Sequence, residues 1–517
     1  MKKMRLNFTL LIFGLLVSVT SCKKNDGVIE VEDRIAFDST QLAAFFTKHP
    51  EFKQYRPEVE ELYDKENFHY VWYDENGRID FAEVLYNKVN QIKADGIMVP
   101  VPYKAEIDEL FDTKKGDKST LENDLMVSSL YFYYTKNVLE GVDAAVSKNS
   151  GWYLPRQKVS YVDYLDELIK DPDLIKKDDS ENISQYYKLK KGLKRYQDIQ
   201  KKGGWGKIDF PKGTKSLKPG ETSPAIAQIR KRLVMTGDIK RDNGSSTFDD
   251  DLKDGLAKYE TRHNRKTDNV ITATLVNELN IPVEERIKTI IVNMERCRWI
   301  DPTVMNAKEL VSVNIPSYQL QYLKDGKPVL TSNVVVGKAL NKTVVFSGQM
   351  SYIVFSPYWN IPKSIVEEEI MPAIKKNENY LEEKNMEWND GNVRQKPGND
   401  NSLGLVKFMF PNSNNIYLHD TPAKSLFDRE SRAFSHGCIR VEKARELAIA
   451  ILKGDKNMNA EKIDEKMNAG TESSHALDHK IPVYIAYFTA WADDSGNVNF
   501  YEDIYKRDAR LAASLYK

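Results

Sequence analysis

Cysteine is scarce in this chain. Cys22, Cys297 and Cys438 are the only three in 517 residues, too few for a disulfide framework and for any four-cysteine zinc or iron–sulfur site. Charge of one sign is not in surplus either. The 76 Lys and Arg balance 76 Asp and Glu, and residues 1–21 hold Lys2, Lys3 and Arg5, so the chain without them is slightly acidic. Broad neutralisation of a phosphate backbone is thereby excluded, and no nucleic-acid partner is expected. Past the N-terminus no stretch approaches 18 apolar residues, so the body is expected to be soluble. No HExxH pattern occurs. What is present, 41% apolar and 10% aromatic residues, suffices for packed cores, and the length suggests several domains of roughly 100–200 residues.

The N-terminus has its own pattern. Lys2, Lys3 and Arg5 precede an apolar run from about Phe8 to Val19, too short to span a bilayer comfortably but suited to a secretory signal. Val-Thr-Ser-Cys ending at Cys22 resembles the lipobox of bacterial lipoproteins. That resemblance implies cleavage before Cys22 and acylation of its thiol and amine, leaving a membrane-anchored protein at the periplasmic face. Lys23 and Lys24 follow, so the inner-membrane Asp signal is absent and the outer membrane is favoured.

The spacing of apolar residues divides the rest. Residues 22–35 read as a linker and 36–210 as a helical scaffold domain, completed by a helix over 283–300. Phe81, Val84, Leu85, Val89 and Ile92 mark one amphipathic helix, Leu125–Leu139 a buried one, and 171–180 a solvated loop. A Gly- and Pro-rich shift at 201–224 leads to three short helices within 215–281, with apolar faces led by Ile226, Leu252 and Leu275. Cys297, on the 283–300 helix between two arginines, reads as structural. From about 305 to 510 the period becomes two. Val311, Val313 and Ile315 alternate with polar residues, and Asp325-Gly326 predicts a tight hairpin. Val483–Tyr487 and Val498–Tyr501 read as a closing hairpin. Between strands, 359–394 reads as an inserted helical cap, since lids of this kind often cover active sites. The fold class is multidomain α+β, with the β domain mostly antiparallel.

One segment carries chemistry: IYLHDTPAKSLFDRESRAFSHGCIRV. Alternation puts His419 at a strand end. A 15-residue loop then leads to Ser435, His436, Gly437 and Cys438. A thiol in a glycine turn with imidazoles near suits nucleophilic acyl transfer through a thioester, the imidazole taking the thiol proton and turn amides facing an oxyanion. The same residue types leave two other readings open. His419, His436 and Cys438 can ligate zinc with an open fourth position, and His475 and His479, four apart, can share one helical face; or the residues can be structural.

Two resemblances bear on these alternatives. Residues 217–280 resemble the three-helix peptidoglycan-binding domain, although Tyr259, Glu260 and His263 stand where an aromatic, Gln and His are usual. Next, His419, its spacer and Ser-His-Gly-Cys-Ile-Arg, with RQKPGNDNSLGLVKFMFPN (394–412) and VVVGKALNKT (334–343), resemble the YkuD-type L,D-transpeptidases in their large multidomain branch. The resemblance implies Cys438 as nucleophile and His419 as base and acid, oriented by a backbone carbonyl near Asp420. It implies Gly437 and Cys438 amides as an oxyanion hole, and Ser435 and His436 as residues shaping the turn. Arg440 would organise the site or meet a substrate carboxylate, and Tyr417 and Trp359 would line the cleft. The activity implied is 3→3 crosslinking of tetrapeptide stems in cell-wall biogenesis, with peptidoglycan stems and glycan as partners and no metal or cofactor. The other functions in view are a non-catalytic peptidoglycan-anchoring lipoprotein, and L,D-carboxypeptidase or D-amino-acid exchange activity at the same site.

Overall fold

The structure is a computed structural model that describes residues 34–112, 118–156, 159–171 and 182–516. Cys22, the signal-like segment, nearly all of the linker and most of the 171–180 loop lie outside these residues.

The N-terminal part is helical, and its core spans Leu42 to Leu168. At its centre is the Leu121–Tyr134 helix, buried on every side from Asp124 onward, as an apolar circumference requires. Thr120 caps it by accepting from the Asn123 N–H, one of the donors a helix start leaves unpaired. Asp124, buried in this core, accepts from the Val71 and Trp72 amides and from the Tyr63 hydroxyl, so the buried carboxyl group is hydrogen-bonded, and burial pushes its pKa up to about 7.

Three helices, Pro224–Thr236, Asp250–Arg262 and Ala273–Leu279, enclose a separate core from Ile208 to Leu279. Ser223 caps the first, with Pro224 at the position where a missing N–H costs nothing. Tyr259 and His263 are both buried, the His263 Nδ1–H donating to the Tyr259 carbonyl.

Helices Ser184–Lys201 and Val283–Arg298 differ from the expected scaffold assignment. Their apolar faces, with Leu189, Leu193, Ile287 and Ile291, belong to the core of the β domain. Polar groups also tie them to the scaffold. Glu295 accepts from the Val142 amide at 2.6 Å, and Arg298 donates to the carbonyls of Val138 (2.8 Å) and Asp95 (2.5 Å). Cys297, on this helix, is fully buried, and burial pushes its thiol pKa up.

The β domain holds nine principal strands: β1 (Glu309–Asn314), β2 (Gln319–Lys324), β3 (Lys327–Gly337), β4 (Phe346–Phe355), β5 (Val406–Met409), β6 (Leu418–His419), β7 (Ala433–Ser435), β8 (Ile439–Val441) and β9 (Ser473–Ala486). Eight of them pair in the closed circuit β1–β2–β3–β8–β6–β5–β4–β9–β1, with β7 alongside β3. Closure leaves no long unpaired edge. The pairings are mostly antiparallel, but β6–β8, β9–β1 and β7–β3 are parallel. Asp325 (φ 48°) and Gly326 (φ 71°) make the β2–β3 turn with two left-handed residues, the geometry that matches strand twist.

Three expectations are corrected in this domain. The cap is not purely helical: short helical turns between Lys363 and Glu383 are followed by strands Met386–Asn389 and Asn392–Gln395. The second of these pairs with Trp359–Asn360, and the whole has its own core around Ile361, Ile370 and Val393. The closing hairpin pairs Ala490–Ala492, not Val483–Tyr487, with Val498–Phe500. Val483 lies instead near the end of the 14-residue β9, which runs through Pro482 with a register shift between Ala476 and Ile481. His475 and His479 therefore sit on a strand, not a helix, where they contact Asp455 and Glu309 at 2.6 and 2.8 Å.

Candidate active site

The site is one face of the circuit where β5, β6 and β8 lie side by side. Strand alternation sends Phe408, Leu418 and Ile439 into the core, all fully buried. The intervening residues face the other way. His419 pairs with Lys407 of β5 on one side and with Arg440 of β8 on the other. Tyr417 and Cys438 lie two residues back on the same face. Thus Lys407, Tyr417, His419, Cys438 and Arg440 share one surface.

The imidazole is buried, and its orientation is set locally. His419 Nδ1 is 2.5 Å from the Asp420 carbonyl oxygen. A carbonyl only accepts, so Nδ1 carries the hydrogen and Nε2 of the neutral ring holds the lone pair. Asp420 is itself held: its carboxylate accepts from the Leu405 amide at 3.0 Å and from Lys424 Nζ at 2.6 Å, and its amide donates to the Val406 carbonyl at 2.9 Å. Gly404 (φ 63°) leaves room for that carboxylate, which a Cβ would strike.

The thiol is set by the Ser435–Cys438 turn. Gly437 has φ 122°, and a Cβ there would meet only the Asn341 carbonyl oxygen at 4.0 Å, so the position needs glycine for its backbone and not for clearance. Ser435 Oγ accepts from the Gly437 amide at 3.1 Å and donates to the Cys438 carbonyl at 2.6 Å. Thr343 Oγ1 donates to the Gly437 carbonyl at 2.8 Å and accepts from the Gly337 amide at 2.9 Å. The Gly437 N–H is therefore engaged by Ser435, a departure from its expected place in an oxyanion hole; the Cys438 amide is the turn donor left for that role. His436 places Nε2 3.0 Å from Glu369 of the cap. Trp359 packs on the cap's own core, whereas Tyr417 lies beside His419 with ring centroids 5.7 Å apart.

Burial sets the protonation states. It pushes the His419 pKa down to about 3, with Arg440 and Lys407 adding to the fall. It pushes the Cys438 thiol up, against the pull of Tyr417, Lys407 and Arg440. Near neutrality the resting pair is a thiol and a neutral imidazole, not an ion pair. The proton must then move as the sulfur bonds to its target.

Among the described residues no group of three or more His, Cys, Asp or Glu is arranged to hold a metal ion; the strand pairing puts His419 and Cys438 on one sheet face, whereas His436 contacts Glu369 of the cap. Lys407 was not singled out in the sequence. Its signal is a charge inside the apolar run Leu-Val-Lys-Phe-Met-Phe, opposite Phe408.

Fold and site together define a thiol–imidazole protein built on a closed β circuit with an inserted cap. Residues 308–462 match the model of the YkuD L,D-transpeptidase catalytic domain, and residues 57–193 match that of a Scaffold domain. A curated Haemophilus influenzae relative, whose name assigns it provisionally to the L,D-transpeptidases, is 36% identical over 241 residues, covering 43% of this chain and 48% of that protein. The chain thus spans about half the length of the relative it matches. Among solved structures, an L,D-transpeptidase from Stackebrandtia nassauensis is 13% identical over 54% of this chain and 95% of that one, with a TM-score of 0.21. One from Mycobacterium smegmatis is 12% identical over 35% and 58%, also with a TM-score of 0.21. Likeness at that level is too low to bear on function. Residues 308–462 thus carry the pattern of a YkuD-type L,D-transpeptidase catalytic domain, and residues 57–193 that of a Scaffold domain.

Proposed function

We propose that the protein forms 3→3 peptidoglycan crosslinks through a thioester on Cys438. One observation carries the reading: a buried His419 imidazole, its Nδ1 held by the Asp420 carbonyl, shares a sheet face with Cys438. In the first step Sγ adds to the carbonyl after the L-centre of the diamino acid at stem position three, while the thiol proton passes to His419 Nε2. The oxyanion faces the Cys438 amide. The C–N bond then breaks, His419 returns the proton to the departing nitrogen, and the terminal D-residue leaves. In the second step the side-chain amine of another stem attacks the thioester, loses a proton to His419, and the thiol is restored.

Incubation with tetrapeptide-containing muropeptides, followed by mass spectrometry, tests this directly. D-alanine and 3→3 dimers are expected, with an acyl-enzyme 438 adduct trapped by a carbapenem. Dimers from Cys438→Ala at the wild-type rate would sink the mechanism. Tripeptide alone marks a carboxypeptidase, and incorporation of an added D-amino acid marks exchange; a protein that binds sacculi but yields neither is the non-catalytic anchor.

The same reading places the protein at the periplasmic face, anchored by acylated Cys22 and favouring the outer membrane, with the 215–281 unit touching glycan. Labelling with a fatty acid that is lost in Cys22→Ser supports the anchor; label retained in that variant refutes it.

A further inference from the structure

Two cations flank His419 on the face that also carries the nucleophile, and among the described residues neither has an anion of its own. Lys407 pairs across the strands with His419, and its Nζ lies over the Tyr417 ring, 4.1 Å from the centroid. Among the described residues it forms no ion pair. The acidic side chain that acts on it, Glu472, is committed to the Tyr358 amide at 2.7 Å. Arg440, on the other side of His419, has a buried Nε with no hydrogen-bond partner. Both act electrostatically on Cys438 and on His419. Burying cationic heads without a carboxylate is costly, and structural cations are usually paired. Neither cation is fully enclosed, so a ligand can reach them.

The substrate chemistry supplies an anion at this place. When Cys438 attacks the stem carbonyl, the departing residue bears a free carboxylate two bonds beyond the scissile nitrogen. That group must lie within a side chain's reach of the sulfur, on the face that Lys407 and Arg440 share. We infer that Lys407, acting with Arg440, binds the terminal carboxylate of the leaving D-residue and so selects donor stems that end there. This rests on the transpeptidase reading above. Burial holds the Lys407 ammonium below the ordinary lysine value, as for a cation waiting for its partner. The competing role is stabilisation of the Cys438 thiolate, which would make Lys407 indifferent to the substrate's end group.

The test compares acylation of Cys438 by a tetrapeptide stem with a free C-terminal carboxylate and by the same peptide as its C-terminal amide, in wild type, Lys407→Met and Lys407→Arg. Wild type should prefer the acid by about tenfold or more in kcat/KM, the size of a charge-assisted contact. Lys407→Met should bring that ratio close to one, while Lys407→Arg keeps most of it. Alkylation of Cys438 by iodoacetamide in each variant reports on folding and on the thiol. Equal slowing of both peptides with an unchanged ratio, together with slower alkylation, would overturn the inference in favour of the thiolate role. If wild type is acylated by neither peptide, the transpeptidase reading fails and the inference with it.

Discussion

His419 Nδ1 and the Asp420 carbonyl oxygen are 2.5 Å apart, and the Asp420 carboxylate that steadies this carbonyl is gripped by the Leu405 amide and Lys424. A backbone oxygen thus does the orienting that a carboxylate side chain does in many triads. A carbonyl orients the ring without adding a full negative charge beside it, so nothing nearby raises the imidazole pKa strongly. This agrees with its fall to about 3.

The reactivity of the thiol should therefore rise with pH without an acidic plateau. The His419 imidazole stays neutral from about pH 4 upward, and the Cys438 thiol ionises above its ordinary range because burial raises its pKa. Iodoacetamide rates measured from pH 4 to 10 should climb into the alkaline region, since thiolate is the reacting species. A plateau near pH 5 would show a thiolate–imidazolium pair and refute this. In protein lacking residues 1–22, about one equivalent of label is expected, because Cys297 is fully buried with a raised pKa.

Gly404→Ala should lower activity more than stability. A Cβ there would strike the Asp420 carboxylate, and the residue has φ 63°, so roughly 1–3 kcal/mol of stability should be lost. The displaced carbonyl misaims His419, and a misplacement of this kind costs up to about 100-fold in rate. Lys424→Met removes a half-exposed ion pair with Asp420 and an exposed hydrogen bond to the Glu442 carbonyl and should cost less than about 1 kcal/mol. Stem-peptide acylation rates and thermal melts of the two variants check the ranking; equal rates would refute it.

These contrasts show where the sequence was legible. The shared face of His419 and Cys438 follows from local alternation, and Asp325-Gly326 announces its hairpin. Lys407 joins the site only because β5 pairs with β6, and Gly404 meets Asp420 through the same pairing; such neighbours are set by topology, which one sequence does not print. In the cap, Asp390-Gly391 carries the same turn signal as Asp325-Gly326, but the spacing of Ile365, Ile370 and Ile374 and the dense charge point to helix. Pro482 reads as a strand start, yet β9 passes through it at an irregular register. Likewise the Val283–Arg298 helix shows its amphipathic face plainly but not which core that face enters.

That helix yields a stability prediction. Glu295 accepts from Arg298 Nη1 at 2.8 Å and from Trp299 Nε1 at 2.8 Å, both buried, and from the half-buried Val142 amide at 2.6 Å. Arg298→Ala leaves the Glu295 charge buried and under-paired, and should cost about 3–5 kcal/mol. Gly141→Ala should also destabilise, because its Cβ would strike the Glu295 carboxylate. In a double-mutant cycle of Arg298→Ala and Glu295→Ala, the double variant should lose markedly less than the sum. Simple additivity in urea melts would show that the two side chains do not act as a unit.

Thr343 offers the sharpest separation of turn geometry from chemistry, because it touches neither the thiol nor the imidazole. Its hydroxyl joins the Gly337 amide to the Gly437 carbonyl, at 2.9 and 2.8 Å, and the residue is fully buried. Thr343→Val keeps the shape but leaves a buried N–H and C=O unpaired, which should cost about 1–3 kcal/mol. Freed from Thr343, the Gly437 peptide can rotate and carry the Cys438 amide away from the place where the oxyanion forms. Loss of one oxyanion donor costs up to about 100- to 1000-fold in the chemical step, so a partial loss, about tenfold in acylation, is expected. Thr343→Ser keeps the hydroxyl and should restore most of the rate despite its missing methyl. If Val and Ser slow acylation equally, packing and not the hydrogen bonds positions the turn.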